Sequence, residues 1–200
     1  MNYTELQQEV QDFAHRTDLS SKMDTFVLLA ESIINKELRV TEQETILPVS
    51  FDTTYFDLPT DFLEMRAMHI ELAGARVPLK QLSPQQLDAQ YSRATGKPRA
   101  YAMHGGQFEF RPGIDGGDPY PGEITYFAKV PSLIDNASTD VLTNYPMIYL
   151  AAMMIQVYIY VQDQEQLNVW LTAFSTEIAV ANKTALAGRY VLPTITIGAA

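Results

Sequence analysis

The side chains best suited to moving a proton near neutral pH are histidines, and the sequence has three: His15, His69 and His104. His15 falls where a first helix should end, a place where an imidazolium suits the helix dipole. His69 falls on the polar side of an alternating strand, and His104 falls at a hairpin turn. None has a carboxylate or a second histidine at ligand spacing. A histidine without an orienting partner makes a poor catalytic or metal site. Asp115-Gly116-Gly117-Asp118 has the outline of a metal or phosphate loop. It lacks the ligand spacing of a calcium loop and the Lys-Ser/Thr of a phosphate loop, so it reads as a turn. Asp61 and Glu64 follow Leu58-Pro59-Thr60 and fit a turn or a helix N-terminus better than paired acid–base work. There is no Gly-x-Ser-x-Gly and no cysteine, which excludes disulfides, thiolate chemistry and Cys-held metals. The sequence therefore predicts no catalytic residue, no cofactor, no metal site and no enzyme.

The elements that would have to position a site are more legible. The 200 residues are 46% hydrophobic, enough to bury a core, and carry a formal net charge of −10. That charge argues against a general nucleic-acid-binding surface, which needs clustered Lys and Arg. The first residues show no basic and apolar leader, so no secretory signal is expected. The apolar run Pro146–Val161 is shorter than the roughly 20 residues that span a bilayer. It also carries Gln156 and three tyrosines and has no basic flank, so no membrane contact is expected.

A helical hairpin over 144–188 organises the chain. Its first helix is apolar on every side and must be covered by its own chain, by other copies or by lipid. Its second carries Leu167, Trp170, Leu171, Phe174, Ile178 and Ala181 on one stripe. At the other end, Thr4 with Gln7 reads as a capping box opening a short helix. A longer helix over 22–40 should bury Phe26, Leu29, Ile33 and Ile34. Between these ends the period changes to 2. Leu47, Val49 and Phe51 alternate, and Asp52-Thr53 turns into a return strand with Phe56 and Leu58. Met68, Ile70 and Leu72 alternate in the next strand. Ser83, Pro84 and Gln86 cap a small helix. Gly105-Gly106 makes a two-residue hairpin turn pairing Met103 with Phe108 and Tyr101 with Phe110. A last strand faces Ile124, Tyr126 and Ala128 inward.

The expected fold class is α+β. Residues 1–43 and 144–188 form a helical bundle, 44–143 an inserted small β-sandwich or barrel-like domain, and 189–200 an extended C-terminal tail. The tail carries Arg189, Tyr190, Val191, Leu192, Pro193, Ile195 and Ile197. An apolar extended segment either lies on its own body or is held by a partner, as in strand addition. Tyr145, Tyr149, Tyr158 and Tyr160 surround the first hairpin helix, and tyrosine is favoured at interfaces. Tyr149 and Tyr158 therefore join the tail as candidate partner contacts.

Order and spacing then carry a resemblance over nearly the whole chain. The N-terminal helix pair is followed by Leu58-Pro59-Thr60-Asp61-Phe62-Leu63-Glu64. Next come Gly96-Lys97-Pro98-Arg99-Ala100-Tyr101, Gln107-Phe108-Glu109-Phe110-Arg111-Pro112 and Ile124-Thr125-Tyr126-Phe127. The chain closes on Tyr145-Pro146 before an alanine- and tyrosine-rich helix, with Trp170 in the next. This pattern resembles the head-to-tail adaptor (connector) proteins of tailed bacteriophages, including the tail tubular protein A-like proteins of short-tailed phages. The resemblance implies a virion structural protein at the head–tail junction, assembled in the host cytoplasm. It implies partners in the portal protein, the tail or nozzle proteins and other copies of itself. A ring of roughly twelve copies would match the portal. Double-stranded DNA would pass through the ring without specific binding. The tail would reach toward the portal. Twelve such copies would carry about 120 negative charges, and an acidic bore would repel phosphate. Other readings are a tail-completion or baseplate component, a small ligand-binding module, or a hydrolase using a β-domain cleft.

Overall fold

A computed structural model describes residues 1–117 and 119–189. The described residues form α1 (Tyr3–Ala14), α2 (Met23–Glu37), α3 (Pro84–Gln90), α4 (Asp140–Asn144), α5 (Pro146–Val161) and α6 (Gln164–Arg189). Their strands are β1 (Glu44–Phe51), β2 (Tyr55–Asp57), β3 (Phe62–Leu72), β4 (Ala75–Pro78), β5 (Lys80–Gln81), β6 (Ala100–His104), β7 (Gln107–Arg111) and β8 (Tyr120–Ala128). The chain is α+β and divides into two compact units. One comprises the residues up to Gln43 and those from Val130 onward; the other is Glu44–Lys129.

In the helical unit, α1 is opened by Asn2 rather than Thr4. The Asn2 side chain accepts from the Glu5 N–H at 2.9 Å, and the Glu5 carboxylate accepts from the Asn2 N–H at 2.9 Å. This box uses the stronger capping residue and places an acid in the first turn, so it outcompetes the Thr4–Gln7 alternative. Starting the helix there leaves the Tyr3 N–H to reach Ala137 O at 2.8 Å.

The middle of α5 is enclosed by its own chain, while Met147, Ile159 and Tyr160 at its ends are exposed. Ile148 through Met154 are at most 5% exposed, with α1, α2 and α6 packed around them. Of the three covers that the sequence allowed, its own chain supplies the one over the middle of this helix. Two stripe predictions fail at their edges. Leu29 on α2 and Leu171 on α6 are 48% and 44% exposed, because α5 presents one apolar side to each helix and the burial is narrower than the stripe. Val130–Thr143, grouped by sequence with the β-rich region, belongs to the helical unit. Val130, Leu133, Val141 and Leu142 join its core, and α2 anchors the segment. Asn35 Oδ1 accepts from the Val130 N–H at 2.8 Å, and the buried Glu31 carboxylate accepts from the Leu133 N–H at 2.7 Å.

The second unit holds two four-stranded sheets, ordered β1-β8-β3-β4 and β2-β7-β6-β5. The first is antiparallel throughout, and the second contains one parallel pair, β5 with β6. The expected β1–β2 hairpin does not form. β2 pairs with β7, with Phe56 opposite Phe108, so the chain changes sheet at Asp52–Thr54. This change places Phe51 against both Phe56 and Phe110, with ring centroids 5.3 and 4.9 Å apart. Both sheets feed one apolar cluster: Phe51, Met68, Ile70, Ile124 and Tyr126 from the first, Tyr101, Phe108 and Phe110 from the second. The register of the Gly105-Gly106 hairpin is as expected, Tyr101 opposite Phe110 and Met103 opposite Phe108. Both glycines have positive φ, as the tight turn requires. Gly122 answers a different need. A Cβ there would lie 2.4 Å from the His69 carbonyl oxygen and 2.7 Å from the Phe51 ring, so β8 can run between β1 and β3 only with glycine at that place.

Candidate docking surface

The residues with chemical potential stand apart from one another. His15 caps the C-terminus of α1 in left-handed conformation and is exposed. His104 is exposed at the hairpin, and His69 is half-buried on β3 with its Nδ1 unpartnered. Asp61 accepts from the Tyr126 hydroxyl at 2.9 Å, which fixes the entry to β3. Asp115 accepts from the Gly117 N–H at 3.1 Å, an Asx turn; its sequence partner Asp118 lies outside the described residues. Among the described residues no group of three or more His, Cys, Asp or Glu side chains could hold a metal ion. No helix among them is long and apolar enough to cross a membrane.

The hairpin face opposite Tyr101 and Phe110 carries an ion-pair cluster with α3. Arg111 is 4% exposed; its guanidinium contacts Glu109 and lies 3.7 Å from Asp88 on α3. Alternation alone hides this, since Ala100 and Ala102 share that face and pack on Leu87. Of the tyrosines proposed as contacts, Tyr149 is fully enclosed within the helical unit. Its hydroxyl lies beside Thr139 without a satisfied hydrogen bond, and burial pushes its ionisation up. It is a core residue, because the tyrosines at both ends of α5 do not share one face. Tyr158 is half-buried and borders a hollow of about 240 Å³ at the α5–α6 turn, with Ile159, Gln162, Asp163, Gln164 and Leu167. Arg189 closes α6; Tyr190, Val191, Leu192, Pro193, Ile195 and Ile197 lie outside the described residues.

The helical unit nonetheless presents apolar side chains to solvent. Leu28 on α2, Ile159 and Tyr160 on α5, and Val169 and Val180 on α6 are 52–57% exposed. On α6 the hydroxyls of Thr172, Ser175, Thr176 and Thr184 donate to carbonyls of their own helix at 2.8–3.0 Å. Their hydrogen bonds are already made, so this face loses little when water leaves it.

Among the described residues the geometry thus assembles no constellation of these groups, and the comparison with known families runs along the chain rather than through a site. The sequence matches the family described as SU10 adaptor protein over residues 1–194, and the chain belongs to that family, a structural adaptor family of bacteriophage. No curated protein matches the chain.

Proposed function

We propose that this protein is a ring-forming head-to-tail adaptor, which joins the portal to the tail and extends the DNA channel. The family match carries the reading, and it runs through residue 194, into the apolar tail sequence. In this reading the helices form a bundle and the two sheets an inserted sandwich. The tail from Arg189 to Ile197, with Tyr158, engages the portal or a neighbouring copy. The protein is not an enzyme and holds no cofactor. DNA passes without specific binding, consistent with a net charge of −10 per copy. Its place is the head–tail junction of the virion, after assembly in the host cytoplasm.

The test is to mix the protein with purified portal and count bound copies by native mass spectrometry. The expected result is a closed set matching the portal's symmetry, about twelve copies. Absence of any portal complex, or binding of one or two copies only, refutes the ring.

A further inference from the structure

The charge is unevenly distributed. The helical unit has six Lys and Arg against thirteen Asp and Glu, a net charge of −7. The β unit has eight against eleven, a net charge of −3. Within the β unit, Arg93, Lys97 and Arg99 occur between Asp88 and Glu109 with no acid among them. The fold adds Lys80. The Lys80 N–H donates to Arg99 O at 3.1 Å and Lys80 stands opposite Ala100, so β5 brings Lys80 alongside Arg99 at the start of β6. Lys97 is two residues before Arg99, past the buried Pro98.

Lys80, Lys97 and Arg99 are exposed, and none forms an ion pair with a described residue. Arg93, by contrast, is held by Asp88 at 3.3 Å, as Arg76 is held by Glu123. A strongly acidic chain thus leaves three cations without a described acidic partner along one edge of a sheet, Lys80 on the face of Ala100 and Arg99 on the other.

Resting on the ring reading above, we infer that this basic edge docks against the acidic outer face of α1 on a neighbouring copy. That face carries Glu5, Glu9 and Asp12 at i, i+4 and i+7, one ridge of the helix. Glu9 and Asp12 border a hollow of about 370 Å³ with His15 and Phe13, and Phe13 is 50% exposed. Carboxylates beside a half-exposed aromatic ring, here one that also packs edge-on against Trp170, suit a guanidinium or ammonium, by ion pairing and by cation–π attraction. Charge complementarity between two different patches of one chain makes a head-to-tail contact, the kind that closes into a ring. It also answers a difficulty. Copies at −10 each repel, and setting a basic edge against the −7 unit turns the nearest part of that repulsion into attraction.

The experiment uses full-length chains and portal, with copies counted by native mass spectrometry over a concentration series. The basic-edge variant K80E/K97E/R99E and the α1 variant E9K/D12K should each raise the concentration needed for ring closure about tenfold. Both sets in one chain should restore it, since the signs are exchanged on the two sides of the contact. Circular dichroism melts check that each variant is folded, as expected for exposed positions. If the single sets weaken closure and the combined chain stays weak, the basic edge has another partner and the inference is overturned. If K80E/K97E/R99E closes normally but loses DNA retention, the edge meets phosphate and the inference is again overturned. In both cases the ring itself stands. If wild-type protein forms no ring on the portal, the ring reading falls first and takes this contact with it.

Discussion

Glu31 keeps a carboxylate 6% exposed beneath the segment it anchors. Desolvation raises its pKa, and Asp135 nearby acts in the same direction. The folded chain therefore takes up this proton at higher pH than the unfolded chain does. Stability gains as pH falls through that window and declines as pH rises out of it. Glu31→Gln keeps an oxygen for the Leu133 N–H and removes the buried charge. It should leave stability at pH 7 equal or higher and flatten the acid limb. Glu31→Ala leaves the N–H unpaired and should cost about 1–3 kcal/mol. Urea melts at pH 5 and pH 7 distinguish these outcomes.

At the alkaline end the buried tyrosines act in parallel. Burial pushes Tyr101 up to about 12, and burial with Asp61 alongside does the same for Tyr126. The unfolded chain ionises these phenols near 10, so stability should fall between pH 10 and pH 12. Tyr101→Phe should reduce that slope, read from thermal midpoints; an unchanged slope would remove Tyr101 from the account.

Among elements, β8 is an interior strand of the first sheet, paired with β1 from Glu44 to Phe51 and with β3 from Phe62 to Ile70. Its dependence on Gly122 is a matter of space. Gly122→Ala forces a methyl into a backbone carbonyl and a buried ring and should cost roughly 3 kcal/mol or more. The measurement is a denaturant midpoint, with loss of the Phe51 ring contacts visible in near-UV or NMR spectra. The elements read best from sequence were those whose signals are local. The Ser83–Gln86 capping box of α3 and the Gly105-Gly106 register are formed as expected. The β2 assignment failed because a strand's partner is not written in its own residues. Phe56 alternates equally well against β1 or β7, and only burial of Phe51 between Phe56 and Phe110 decides it. The same limit applies to the candidate contacts. Tyr149 and Tyr158 look alike on a helical wheel that is apolar all round, yet one is enclosed and the other faces a hollow.

For the whole molecule, Ala185 is the last of the described residues that the helical core buries. If the tail is held by a partner, as proposed, deleting 190–200 should leave the thermal midpoint of the free chain within about 1 °C. The deletion should still abolish portal binding, scored by co-sedimentation. Retained binding would shift the contact onto the helical faces.

By itself the sequence determined the α+β class, the helical ends around a β-rich middle, the caps and turns, and the likeness to phage adaptors. These rest on periodicity, local hydrogen bonding and residue order, which are properties of neighbouring residues. The tertiary structure decided which helix faces stay open, that the middle of α5 is covered by its own chain, that β2 crosses to the second sheet, and that the Lys80 and Arg99 backbones meet at one edge. Each of these depends on which distant segment occupies a given side, and the energy that selects it comes from packing across the fold.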